Sequence, residues 1–287
     1  MMLGTVEQAV ALWLAVRNWL AALIVIASPC LLLAQPINEF LIPTSGSGPS
    51  GIAAGGDGAV WFTEALANKI GRVTSSGEIA EFPVPTAIAQ PQWITTGPDG
   101  NLWFTEANAG KIGRITYAGA ITEFAVPTAG SVPNVIAIGP DGNLWFTEFS
   151  GNRIGRITPA GVISEFPIPR LVTEPWGIAA GPDGLVWFAE SDKSRIGRIS
   201  TSGVFAGEFP LPGAFASPRG ITSGPDNVIW FANAGGNSIG RITPVGSITE
   251  FLVPTASASP TGIVVGSDGA LWFTELLGVC PSNHLRL

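Results

Sequence analysis

Basic side chains are scarce in this chain: 14 lysines and arginines stand against 21 aspartates and glutamates, a formal charge of −7. A phosphate backbone needs a cationic face, so this balance excludes a nucleic-acid partner. Cysteine occurs only at Cys30 and Cys280, near opposite ends, so a framework of disulfides is excluded once an N-terminal signal is removed. Histidine occurs once, at His284. From about residue 36 onward no segment has the 3.6-residue period of an amphipathic helix. What is abundant is turn chemistry. The 37 glycines and 24 prolines suit many short strands joined by tight bends.

Residues 97–124, GPDGNLWFTEANAGKIGRITYAGAITEF, are the phrase that the rest of the chain repeats. Its turn aspartate recurs at Asp57, Asp99, Asp141, Asp183, Asp226 and Asp268, a spacing of 42 residues with one step of 43. A Trp-Phe pair follows each of them, Ile-Gly-Arg follows five, and Glu-Phe closes the unit. Self-similarity at this period marks a stacked or circular array of supersecondary units. Within one unit, 93–96, 102–106, 111–116 and 120–126 read as strands, and Pro127 ends the ladder because it has no amide hydrogen to donate. Four strands per 42-residue repeat predict an all-β protein, a β-propeller of four-stranded blades.

Taking Ser76-Gly77 as a two-residue hairpin loop places Arg72 opposite Glu81, and likewise Arg114 opposite Glu123, Arg156 opposite Glu165 and Arg241 opposite Glu250. Such pairs read as scaffold, worth roughly 0.2–1 kcal/mol each. The interval is one residue longer between Arg198 and Glu208, which predicts a bulge or a wider loop there.

Residues 1–35 stand outside the repeat. The run 19–34, WLAALIVIASPCLLLA, follows Arg17 and resembles the apolar middle of a secretory signal peptide, with an N-terminal membrane anchor as the alternative. The expectation is a secreted or periplasmic protein, touching a membrane only through this segment. The propeller is expected over 36–277. Residues 37–43, INEFLIP, read as a fourth strand without its first three; five complete units follow, and 260–275 supply only two strands. Six blades are therefore recognisable, the last incomplete, with 37–43 expected to close the ring. The tail at 278–287 fits no repeat, which suggests truncation or a frameshift.

The phrases GPDGNLWFTE and NRIGRIT, with the frame Glu174-Pro175-Trp176-Gly177, resemble the virginiamycin B lyase (streptogramin lyase) family over about 36–275. The resemblance implies a seven-bladed propeller that opens cyclic depsipeptide antibiotics by Mg-dependent elimination. It also implies histidine bases after the proline that opens a blade's first strand. Here those positions hold Ser50, Gln92, Asn134, Trp176, Arg219 and Thr261, none of them histidine.

These six differ while their surroundings are nearly constant, which marks them as the candidate ligand-binding set. Amides at Gln92 and Asn134, aromatic surface at Trp176 and charge at Arg219 suit an amide-rich or sugar-like ligand on the axis. Glu174 is the one carboxylate just before such a proline, a weak candidate for catalysis or for holding Mg. Glu64, Glu106, Glu148, Glu190 and Glu275 recur too uniformly to be a site. Three readings follow: an exported, monomeric binding propeller for a small or peptide-like ligand; a Mg-dependent lyase with an unusual base; or a damaged copy without function.

Overall fold

The Gly-Pro-Asp-Gly turn sets up each blade. The computed structural model describes residues 39–213 and 215–276. The signal or anchor expected over 1–35, the tail at 278–287 and the residues Cys30, Cys280 and His284 lie outside the described residues. Every regular element among the described residues is a strand, and no helix is long and apolar enough to cross a membrane.

The first blade is β1 (Pro49–Ala54), β2 (Val60–Glu64), β3 (Lys69–Val73) and β4 (Ile79–Pro83). The second is β5 (Pro91–Thr96), β6 (Leu102–Glu106), β7 (Lys111–Ile115) and β8 (Ile121–Ala125). β9 (Pro133–Ile138), β10 (Leu144–Glu148), β11 (Arg153–Ile157) and β12 (Ile163–Pro167) form the third. β13 (Pro175–Ala180), β14 (Val186–Glu190), β15 (Arg195–Ile199) and β16 (Phe205–Pro210) form the fourth. The fifth is β17 (Pro218–Ser223), β18 (Ile229–Asn233), β19 (Ser238–Ile242) and β20 (Ile248–Leu252). β21 (Pro260–Val265) and β22 (Leu271–Glu275) pair as a two-stranded sheet, and the other five sheets are sequential antiparallel meanders. The first strands pack against one another in chain order, β1 to β5 to β9 to β13 to β17 to β21.

Alternation along the second strand divides the Trp-Phe pair between the two faces of each sheet. On one face Trp103 stacks on Phe124 at 5.5 Å and 17°, beneath the Arg114 guanidinium. Its indole N–H donates to Asp99 Oδ1 at 2.9 Å. On the other face the Phe104 ring lies against Gly113, where a Cβ would come within 2.1 Å of it. That contact explains the glycine of Ile-Gly-Arg. The buried clusters straddle neighbouring blades: Trp145 shares one with Ile178, Val186 and Phe188 of the next sheet. Stability is thus built from contacts between sequence neighbours, as in repeat proteins.

The turn aspartate carries a testable share of this. Asp141 accepts from Trp145 Nε1 at 3.0 Å and from the Asn143 amide at 3.2 Å. Burial pushes its carboxyl up, but hydrogen bonds from Asn143 and Trp145 outweigh that and hold it below the usual range. Asp141→Ala should cost about 1–3 kcal/mol, because it leaves a buried indole N–H unpaired. A urea midpoint unchanged from the parent chain would contradict this.

Two expectations are corrected. The hairpin loop has three residues, 75–77, with the Thr74 amide donating to Glu78 O at 3.0 Å and Gly77 at φ +87°. This is a type I turn with a glycine bulge, so the register moves by one residue and every facing pair changes sides. Arg72 stands opposite Ala80, Arg114 opposite Thr122, Arg156 opposite Ser164 and Arg241 opposite Thr249. Arg72 pairs with Asp57 at 2.8 Å, while Glu81 is held by Lys69 and Thr44. Secondly, residues 39–43 form no strand, and among the described residues the last sheet has two strands; residues 37 and 38 lie outside the described residues. Of the bulge or wider loop expected in the fourth blade, the bulge is present: Ala206 of β16 is the extra residue, between Phe205 opposite Ile199 and Gly207 opposite Arg198.

Candidate functional site

All six candidate residues occupy the same irregularity. In each first strand the register slips between the opening proline and the residue three on, so the second and third residues bulge from the ladder. A bulge re-aims its side chain away from the regular pleat. Ser50, Gln92, Asn134, Trp176, Arg219 and Thr261 therefore stand at one level of six adjacent strands. Ser50 is exposed and the others are half-buried.

A buried threonine on the second strand holds the bulge. Thr63 Oγ1 accepts from the Gly51 amide at 2.8 Å and donates to the Gln92 carbonyl of the next blade at 2.8 Å. Thr105 reaches the Asn134 carbonyl at 2.7 Å, and Thr147 the Trp176 carbonyl at 2.8 Å. Ala189 and Ala232 offer no hydroxyl at the next two positions. Sequence reasoning missed these threonines, although the switch from Trp-Phe-Thr to Trp-Phe-Ala was visible.

The structure brings the candidates together in two groups. Ser50 Oγ donates to Gln92 Oε1 at 3.2 Å. The Arg219 guanidinium lies 4.9 Å from the Trp176 ring centroid, and Phe149 meets the other aromatic edge-on at 5.6 Å and 87°. Gly177 permits this: a Cβ there would fall 2.1 Å from the Arg219 carbonyl. Thr261 turns its hydroxyl back to its own strand, donating to the Ser259 carbonyl at 3.0 Å. Asn134 Nδ2 and Arg219 Nε are buried without a partner.

Glu174 goes elsewhere. It is half-buried, in the left-handed region at φ 48°, and lines a cleft of ≈ 300 Å³ with Ser191, Asp192, Ser194 and Phe215. None of the six axial residues lines that cleft. Among the described residues no three metal-ligating side chains are grouped together. Glu174 and Asp192 with a few hydroxyls do not amount to a protein-built Mg2+ site.

Four of the five repeated glutamates are deeply buried instead, and Glu275 of the two-stranded sheet is exposed. Glu64, Glu106, Glu148 and Glu190 are fully inaccessible, and their carboxyl oxygens lack hydrogen-bond partners. Burial first, then the nearby Glu123 or Glu165 charge, pushes Glu106 and Glu148 up to about 8; burial and Glu208 raise Glu190 to about 7. In the fifth blade Asn233 takes the place, and its Nδ2 donates to Glu250 Oε1 at 2.7 Å.

Comparison with known proteins agrees with this architecture. The profile described as the Virginiamycin B lyase family matches residues 31–173 and 133–279. Selenomethionine-substituted virginiamycin B lyase from Staphylococcus aureus is 46% identical with a TM-score of 0.77, over 80% of this chain and 78% of that one. A catalytically inactive histidine-to-alanine variant of the S. aureus enzyme, solved with quinupristin, is 44% identical with a TM-score of 0.81, over 85% and 83%. Virginiamycin B lyase of Bacillus licheniformis is 46% identical over 43 residues, so the match spans only 15% of either chain. The chain belongs to the virginiamycin B lyase family.

Proposed function

We propose that this chain is an exported, monomeric ligand-binding propeller of the family, which takes a small or peptide-like ligand at the mouth framed by the six bulges. The observation that carries this is the absence of histidine from Ser50, Gln92, Asn134, Trp176, Arg219 and Thr261. Elimination at an ester needs a base able to take a proton near neutral pH, and none of these side chains does so. A relative whose histidine is replaced by alanine is catalytically inactive yet was solved with quinupristin, so binding without turnover suits the fold. The retained pieces are those of recognition: amides, an aromatic face and one cation on a rigid frame.

The test incubates the purified chain with quinupristin and Mg2+ and follows ring opening by mass spectrometry. The expected result is no opening above a no-enzyme control, with binding measurable by calorimetry and weakened by Trp176→Ala. Turnover abolished by a chelator or by Glu174→Gln would overturn the proposal in favour of a lyase.

A further inference from the structure

We infer that Arg219, stacked on Trp176, anchors a carboxylate-binding subsite at the propeller mouth, selecting a ligand with one carboxylate on a flat apolar body. This rests on the ligand-binding reading above and specifies its chemistry.

Arg219 has no scaffold duty. Arg72, Arg114, Arg170, Arg198 and Arg241 each pair with an aspartate or glutamate, Arg153 and Arg195 lie beside Glu148 and Glu190, and Arg156 donates to the Thr201 carbonyl; Arg219 makes no ion pair and no side-chain hydrogen bond among the described residues. The other repeats fill its position with uncharged residues. A half-buried cation without a counter-charge is costly unless a ligand supplies one. Stacking on Trp176 engages the guanidinium face; Nε is buried, and the two terminal nitrogens make no hydrogen bond among the described residues, which leaves them to receive a carboxylate in two parallel bonds. Phe149 packs edge-on to Trp176 and fixes the platform. A single guanidinium suits a monoanion. A dianion such as phosphate would meet the field of a chain carrying −7 with little else to neutralise it.

The experiment titrates the full chain by calorimetry with N-acetyl-L-phenylalaninate, its uncharged carboxamide and inorganic phosphate. The carboxylate should bind about tenfold or more tightly than the carboxamide, as expected for charge-assisted hydrogen bonds, and phosphate should not displace it. Arg219→Gln should erase the difference, and Arg219→Lys, which keeps the charge but not the planar fork, should restore only part of it. Equal binding of carboxylate and carboxamide, unaffected by Arg219→Gln, would overturn the subsite while leaving a binding propeller. Preferential binding of phosphate, or no binding of the carboxylate, would also overturn it; the quinupristin titration then decides the broader reading separately.

Discussion

Raising the pH from about 6 to about 9 should sharply lower the melting temperature, and Glu106→Gln should remove part of that dependence. Glu106 is sealed between blades with Lys111 of β7 and Glu123 of β8 as the charges facing it. Lys111 is committed to Glu123 at 2.8 Å, and Thr86 also donates to Glu123. Glu123 is therefore held below the usual carboxylate range: burial opposes this, and the Lys111 and Thr86 hydrogen bonds outweigh it. Its neighbour Glu106 keeps its proton up to about 8, against 4.5 for an ordinary glutamate. The folded chain thus holds a proton that the unfolded chain has released, so stability falls as pH rises across that window and its contribution is lost once Glu106 ionises.

Each unit of elevation corresponds to about 1.4 kcal/mol, so a few kcal/mol are at stake per blade. Glu148, flanked by Arg153 and Glu165, adds a similar share, and Glu190, flanked by Arg195, Arg170 and Glu208, adds less. Glu81 and Glu123 act oppositely, and their contribution disappears as pH falls below 4.5. Asn233, which donates to Glu250, shows that an amide serves where the acid does. Thermal melts between about pH 6 and 9 that show no loss of stability would contradict the buried-acid assignment.

Trp145→Ala should destabilise the protein by about 3–5 kcal/mol, whereas Trp272→Ala should cost far less. Trp145 is fully buried, stacks on Phe166 at 5.5 Å and carries the Arg156 guanidinium at 5.6 Å. Its cluster includes Ile178, Val186 and Ile199 of the fourth blade, so truncation opens a void at the interface between the third and fourth sheets. Trp272 holds the same place in the repeat but is only half-buried, since its sheet has two strands. Denaturant unfolding of the two variants separates them. Equal losses would mean that the repeats do not differ in packing as described.

Period, strand order and the scaffold role of the recurring residues were legible in the sequence because they are local. The strands expected at 102–106 and 111–116 are observed as Leu102–Glu106 and Lys111–Ile115. Register was not legible: Ser76-Gly77 fits a two-residue loop and a three-residue loop equally well, and only the position of Gly77 at φ +87° decides between them. The six candidate positions were visible as variety on a constant frame. Their bulge was not, because it depends on a threonine of the second strand bridging to a carbonyl of the next blade. Glu174, singled out by its neighbours in sequence, lines a cleft that none of the axial set lines, and its left-handed backbone is shared by Gln90, Val132 and Ser259 at the same place in their repeats.

Because each buried cluster joins only consecutive blades, the chain can assemble in the order in which it is synthesised. A blade leaving the ribosome finds its docking partner already folded behind it and waits for no distant segment. Loop-closure entropy is then met in small, repeated steps. A nascent chain stalled between two blades exposes the leading face of the newest one and the rear face of the first, while every face between them is covered, which limits the apolar surface open to misassociation at any moment of synthesis.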